Sequence, residues 1–265
     1  MLADTIAVRL QRDQASLLAA WRSARPVRHF VVDEVLPLEW LAELHSVLPE
    51  PGSLTFKSSL RERKRVGVAL RSYAELVGDA LFAFQADAVV TAIAAITGLG
   101  GLRADPTLYA SGLSAMSKGD FLNPHVDNSH DGDQASYRVL NLLLYATPGW
   151  SEGDGGSLEL WEPSLRGRVP IPALGNRLVV METGPGSWHS VDRIRVAKTR
   201  WCVSNYYFSE VSVDGSSYRH VTTFAGRPEE PWKRLVLAVD GAVLNGLARL
   251  FPGLLRRTKH RMPDV

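Results

Sequence analysis

The chain has 265 residues, of which 45% are hydrophobic and 22% charged, with a net charge of +2 and a single cysteine. This length and balance support a sizeable packed core and argue against extensive disorder, while the mild charge, with acids and bases interspersed, gives no reason to expect nucleic-acid binding. Cys202 alone cannot form an internal disulfide, no secretory signal is readable in MLADTIAVRLQRDQ, and no stretch reaches roughly 18 uninterrupted apolar residues, so the expectation is a cytoplasmic protein in a reducing compartment.

In chain order, Ile6, Leu10, Leu17, Leu18 and Trp21 are spaced as on one amphipathic helix over residues 1–24. HFVVDEV predicts a short strand, and Pro37-Leu38-Glu39-Trp40 starts a helix to about Leu48, ended by Pro51-Gly52. RERKRVGVALRS reads as a loop and strand edge with a solvated face. From Ser72 to about Thr97 the apolar spacing suits one or two helices closed by Gly98. From about Thr107 to Phe208 short runs of Val, Leu, Tyr and Trp alternate with Gly, Pro, Asn and Asp clusters, the pattern of an antiparallel sandwich or barrel. The tail from Pro231 returns to helix, with Leu235, Val239, Leu247, Leu250 and Phe251 on one side. It ends in the basic LLRRTKHRMPDV, which would dock on the sheet or, alternatively, lean on an anionic membrane surface.

The chemistry concentrates in NPHVDNSHDGD, residues 123–133. On a strand, His125 and Asp127 lie two apart and face the same side. A third ligand must come from a distant segment, and His189 in GPGSWHSVDRI, after the apolar strand at residues 177–181 and a Gly-Pro-Gly turn, is the candidate. Two neutral imidazoles and one carboxylate on one face of an ion form a triad that suits ferrous iron and leaves adjacent positions open. Two other readings remain: a solvated polar loop, or a calcium site using Asp127, Asn128, Asp131 and Asp133, although the EF-hand glycine and terminal glutamate are missing. His130 and His220 read as loop residues. Arg200 opens the strand RWCVSNYYF eleven residues after His189, with Cys202, Ser204 and Tyr206 on its face. A guanidinium inside a barrel needs a carboxylate partner. If the protein supplies none, a dicarboxylate would.

The runs HVDNSHDGDQASYRVLNLLLYATPGWSEGDGGSLELW, GNRLVVMETGPGSWHSV and RWCVSNYYF resemble the core of the iron(II) and 2-oxoglutarate-dependent dioxygenases, in the prolyl 4-hydroxylase-like branch. The resemblance covers about residues 105–209. It implies a mainly β, α+β fold with a double-stranded β-helix (jelly-roll) core and helices packed on one face. A single dioxygenase domain over 1–265 would then comprise N-terminal support at 1–104, the core at 105–209 and a C-terminal helical extension at 210–265.

By the same resemblance His125, Asp127 and His189 would be the iron ligands, and Arg200 the anchor of the far carboxylate of 2-oxoglutarate. Tyr145 would assist it, with Asn141 on the same strand face. Gly155-Gly156 stands at the family's GG turn. Met116 stands where a tyrosine is often found, the interval from His189 to Arg200 is longer than usual, and Lys198 competes with Arg200 for the anchor. The implied cofactors are Fe(II), 2-oxoglutarate and dioxygen, with ascorbate as reductant; because Asp127 fills the carboxylate position, hydroxylation is implied rather than halogenation. Arg138, Trp161, Trp188 and Tyr206 are the expected substrate-lining residues. The expected reaction is hydroxylation of a small molecule or biosynthetic intermediate. Its alternatives are a peptidyl-prolyl hydroxylase and a non-catalytic, calcium-dependent β-barrel binding module. Oligomeric state is not readable.

Overall fold

The computed structural model describes residues 2–67 and 72–237. Two helices, α1 (Leu2–Arg12) and α2 (Gln14–Ser23), occupy the stretch expected to be one. The break falls at Asp13, whose carboxylate pairs with Arg9 and Arg12 at 3.0 and 2.9 Å. Each helix then lays its own apolar stripe, Ile6 and Leu10 or Leu17 and Trp21, toward the core. Strand β1 (His29–Val32) follows, and then α3 (Leu38–Ser46), with Pro37 at its N-cap, where a missing N–H leaves no helical bond unmade. A short 3-10 turn (Pro51–Ser53) leads into β2 (Thr55–Ser58) and β3 (Glu62–Gly67).

The basic RERKRV run differs from its expectation. Instead of a loop and sheet edge, it is a strand paired on both sides, by β2 along one edge and by two successive strands along the other. The helix pair α4 (Glu75–Ala83) and α5 (Asp87–Thr97) follows, and Gly98 closes α5 at φ 71°, a left-handed conformation that glycine adopts without strain. Together residues 75–97 have the length and mean hydropathy of a membrane span. They are nevertheless two helices, and Val77, Leu81, Val89, Ile93 and Ile96 are buried in the core.

Strands β4 (Arg103–Ala104), β5 (Gly112–Met116), β6 (Phe121–Val126), β7 (Tyr137–Tyr145), β8 (Leu158–Trp161), β9 (Arg168–Ile171), β10 (Arg177–Glu182), β11 (His189–Val191), β12 (Arg200–Ser209) and β13 (Thr223–Phe224) complete the sheet. Its order is β1-β10-β7-β12-β5-β3-β6-β11-β8-β9, antiparallel throughout, and β3 passes from β5 to β6 so that a larger sheet and a smaller one face each other. This is the expected double-stranded β-helix. Residues 231–237 are helical. The rest of the expected terminal helix and its basic end lie outside the described residues.

Period-2 alternation divides the core in two. On the larger sheet Leu140, Leu142, Leu144, Leu178, Val180, Trp201 and Val203 face the helices. Their neighbours Tyr145, Val179, Met181 and Cys202 face inward to meet Leu122, Leu158, Leu160 and Val191 of the smaller sheet. The helices thus occupy one face, and the other is left for the site.

Candidate metal centre

Two irregularities in this alternation aim the functional side chains. Between β6 and β11 the register runs His189↔His125 and then Val191↔Leu122, so β6 carries one extra residue and both Leu122 and His125 turn inward. Between β7 and β12 Tyr207 pairs with Leu140 but Phe208 with Arg138, so Val139 is extra and Arg138 turns from the helix side to the interior. Such bulges re-aim side chains at the price of one unpaired residue.

His125, Asp127 and His189 converge. Their ligand atoms lie within 4.8 Å of one another, and all three residues are buried. Nε2 of His125 is 3.7 Å from one carboxylate oxygen of Asp127, and Nε2 of His189 is 3.8 Å from the other. In each ring Nδ1 sits by a backbone carbonyl two residues earlier: Asn123 O at 3.0 Å for His125, Ser187 O at 2.9 Å for His189. A neutral imidazole donates from Nδ1 to that carbonyl and keeps the Nε2 lone pair for the ion. Burial, and then repulsion from His189, push His125 down to about 3 from its ordinary 6.5. For Asp127, burial acts upward but is outweighed by electrostatic interactions with His189, Arg138 and His125, which hold the carboxyl below its ordinary range.

That depressed imidazole has a consequence for metal-free protein. The unfolded chain takes up a proton at residue 125 below pH 6.5 while the folded chain does not until about pH 3, so stability falls as pH drops through this window. Between pH 7 and pH 5 the loss is about 2 kcal/mol from this group. Urea unfolding of wild-type and His125→Gln protein at the two pH values measures it, since the variant should lose the increment.

Across the interior, Arg200 is 3% exposed. One guanidinium nitrogen donates to Gly156 O at 2.6 Å, another touches Met116 Sδ at 3.4 Å, and Nε has no partner. No carboxylate among the described residues pairs with it. Gly156, at φ 74°, allows this approach, because a Cβ there would stand 2.9 Å from Arg200 Cδ. The Tyr145 ring lies 5.1 Å from the guanidinium carbon, and its buried hydroxyl, like Asn141 Oδ1, is unpartnered. Burial pushes the Tyr145 phenol well above its usual range, so it stays protonated and able to donate. Lys198 is exposed and 3.5 Å from Asp154, whereas Arg200 is buried on the interior.

Of the expected substrate residues, Arg138 and Tyr206 come together, with the guanidinium 4.0 Å from the ring centroid. Arg138 is 2% exposed with Nε and one terminal nitrogen unpartnered, and its nearest acid is Asp127 at 3.7 Å. Trp188 directly precedes His189 and is partly exposed. Trp161 corrects its expectation. With Leu158 and Leu160 facing inward, it points to the outer face of the smaller sheet, donates to Ser190 Oγ and lies under Arg168 and Arg227.

The acids of the 128–133 loop also depart from the calcium reading. Asp131 caps Ala135 N at 2.8 Å, and no such acid joins a metal-binding cluster among the described residues. A contribution missed in the sequence comes from residues 218–225. His220 Nε2 is 2.8 Å from Asp127 O, and Phe224 stacks on His125 at 5.0 Å as β13 pairs with β6. These contacts span about ninety residues and have no local signature. His130, read as a loop residue, is buried beside Ser129 Oγ at 2.7 Å and forms an isolated bridge with Tyr137.

The donor set of two imidazole nitrogens and one carboxylate oxygen suits ferrous iron. Asp127 Oδ2 lacks a hydrogen-bond partner, as do Arg200 Nε and Tyr145 OH, and these orphans fit a metal and a diacid. Residues 111–208 match the 2OG-Fe(II) oxygenase superfamily. Among solved structures, the chain is similar to a prolyl 4-hydroxylase from Pseudomonas putida, at 19% identity over 73% of this chain and 98% of that one, TM-score 0.51. It is similar also to a prolyl hydroxylase from Trichoplax adhaerens, in complex with a hypoxia inducible factor oxygen degradation domain peptide fragment, at 16% identity over 77% and 93%, TM-score 0.52. A prolyl 4-hydroxylase from Phytophthora capsici aligns at 18% identity over 93% and 78%, TM-score 0.52. No curated protein sequence matches. The match over residues 111–208, the strands that carry the converging triad, identifies this stretch as resembling the core of the 2OG-Fe(II) oxygenase superfamily, and with the shared fold it points to an enzyme whose cofactors are ferrous iron and 2-oxoglutarate.

Proposed function

We propose that the enzyme hydroxylates an unactivated C–H bond of a small molecule or biosynthetic intermediate and releases succinate and carbon dioxide. The observation that carries this reading is Arg200, a buried guanidinium on the barrel interior with no carboxylate partner among the described residues. A buried cation left unpaired is strongly unfavourable, so its counter-ion arrives with the ligand. Bound iron and 2-oxoglutarate supply the oxidising power by activating dioxygen, with ascorbate keeping the metal ferrous.

The chain's own residues bind and orient. His125, Asp127 and His189 would hold the metal from one side. Arg200 would grip the far carboxylate of the diacid with help from the Tyr145 hydroxyl, and Asn141 would present its unpartnered oxygen to the same interior. The bulge-directed Arg138, stacked on Tyr206, would hold an acceptor group of the substrate, and Trp188 would border the metal. Fixing both reactants in this way turns an encounter into an oriented reaction, and the buried walls keep water from the reacting centre.

Peptidyl proline is the alternative substrate, but likeness at 16–19% identity conveys fold rather than specificity. Purified protein with Fe(II), ascorbate and 2-oxoglutarate should release succinate slowly by itself and faster with the right member of a panel of amino acids, small organic acids, sugar nucleotides and prolyl peptides. Absence of any iron-dependent succinate release overturns the oxygenase reading. Stimulation by prolyl peptides alone overturns the small-molecule assignment.

A further inference from the structure

The β2–β3 hairpin has two chemically distinct faces. On one, the exposed Phe56 takes the guanidinium groups of Arg63 and Arg65 at 5.6 and 4.7 Å from its ring centroid, and the buried Asp120 pairs with both. On the other lie Lys57, Glu62 and Lys64. The register sets Lys57 directly across from Lys64. Since Arg65 pairs with Ala115 of β5, and Met116 with Arg200 of β12, Lys64 falls in the same cross-strand row as Met116 and Arg200, on the barrel interior. The charge of Lys64 accordingly bears on His125, Asp127 and Cys202.

Two like charges directly opposed on adjacent strands repel. One carboxylate serves both: Glu62 is 3.0 Å from Lys64, and it is also the acid whose charge acts on Lys57. Burial first, with repulsion from Lys64 adding to it, holds the Lys57 ammonium below its ordinary lysine range. These groups sit nearer to solvent than the cosubstrate anchor does: 21% of the Lys64 side chain is exposed, against 3% of Arg200.

Among the described residues, the interior therefore has four cationic side chains, Arg138, Arg200, Lys57 and Lys64, and two carboxylates, Asp127 and Glu62. The resulting excess of two positive charges persists in the loaded enzyme, because a ferrous ion and the 2-oxoglutarate dianion cancel one another. An uncompensated positive field in a partly desolvated cleft attracts and orients an anion.

We propose that the primary substrate is an anion, a small molecule bearing a carboxylate or phosphate group, and that Lys57 and Lys64 hold this group at the mouth of the site while Arg138 faces it from the interior. This deepens the small-molecule reading and rests on it. A neutral peptidyl proline would leave the two ammonium groups sharing Glu62.

The test uses full-length protein loaded with Fe(II) and 2-oxoglutarate without oxygen, then treated with a lysine-acylating reagent with and without inorganic phosphate, with sites quantified by mass spectrometry. Phosphate should slow labelling of Lys57 and Lys64 about tenfold, the size of effect that occupancy of most sites gives, and leave the exposed Lys118 and Lys198 unchanged. Protection of both lysines by 2-oxoglutarate alone, with nothing added by phosphate, overturns the proposal by assigning them to the cosubstrate; no protection by either overturns it as well. If iron and 2-oxoglutarate are not retained, the oxygenase reading fails and the proposal with it, which iron and 2-oxoglutarate content of the same samples records separately. In a second arm, succinate release is compared across a carboxylate, its amide and the corresponding amine. Wild type should favour the acid, Lys57→Arg should keep that preference, and Lys57→Glu should shift it toward the amine, an exchange that mere structural damage does not produce. Equal stimulation by acid and amide in wild type overturns the proposal.

Discussion

Asp127→Ala protein is expected to fold and yet to purify without tightly held iron, with affinity for Fe(II) reduced by more than about 100-fold, since losing even a group behind a metal ligand typically costs about 10–100-fold. The reason is charge as much as coordination number. His125 is held neutral by burial and by its neighbour, so Asp127 is the one anionic donor in the triad, and two neutral imidazoles cannot offset a dication. The side chain is small and sits at the mouth of β6, so its removal leaves both hydrophobic clusters intact. Iron stoichiometry after desalting in chloride-free buffer, together with the thermal unfolding midpoint, separates loss of metal from loss of fold. Full iron content in the alanine variant would show that the carboxylate is not a ligand.

Arg200→Gln should give the complementary phenotype, with iron retained and 2-oxoglutarate binding weakened by about 2–4 kcal/mol, or roughly 30- to 1,000-fold, the range for truncating one partner of a buried charge pair. Glutamine keeps a donor and most of the volume but loses the charge and the planar fork. The defect belongs mainly to the KM for 2-oxoglutarate, with a smaller fall in kcat when the cosubstrate is saturating. Anaerobic titration of the iron-loaded variant with 2-oxoglutarate measures this directly. Unchanged affinity would mean that the guanidinium, despite lying inside the barrel without a carboxylate partner, serves another ligand.

The two expected phenotypes concern residues visible in the sequence, and the reason they were visible is local. HxD on a strand and an arginine opening a strand are spacings of one or two residues, and strand alternation converts such spacings into faces without knowledge of anything distant. His189 was found because a turn and a strand frame it. Residues whose roles depend on register were misread. Trp161 belongs to a strand whose inner face is Leu158 and Leu160, and only the pairing of β8 with β11 decides which face is which. The RERKRV run was read as a solvated edge because charge dominates its composition. It became a doubly paired strand, and alternation sent Glu62 and Lys64 inward while Arg63 and Arg65 stayed outside. Arg138 was named as a substrate residue, but the bulge at Val139 that turns it inward appears only in the register between β7 and β12.

By itself, the sequence pointed through residue type and short-range periodicity to helices beside an antiparallel β region and to a candidate metal-binding cluster, while its resemblance to the dioxygenases implied the jelly-roll and the roles of His125, Asp127, His189 and Arg200. Only the tertiary structure decided which side chains share the interior: the one-residue slips in β6 and β7, the hairpin that sets Lys57 opposite Lys64, and the return of His220 and Phe224 to His125 and Asp127. A slip of one residue reverses every side chain beyond it, and a contact across ninety residues is fixed by the packing of two sheets, so neither is encoded in any local stretch of chain.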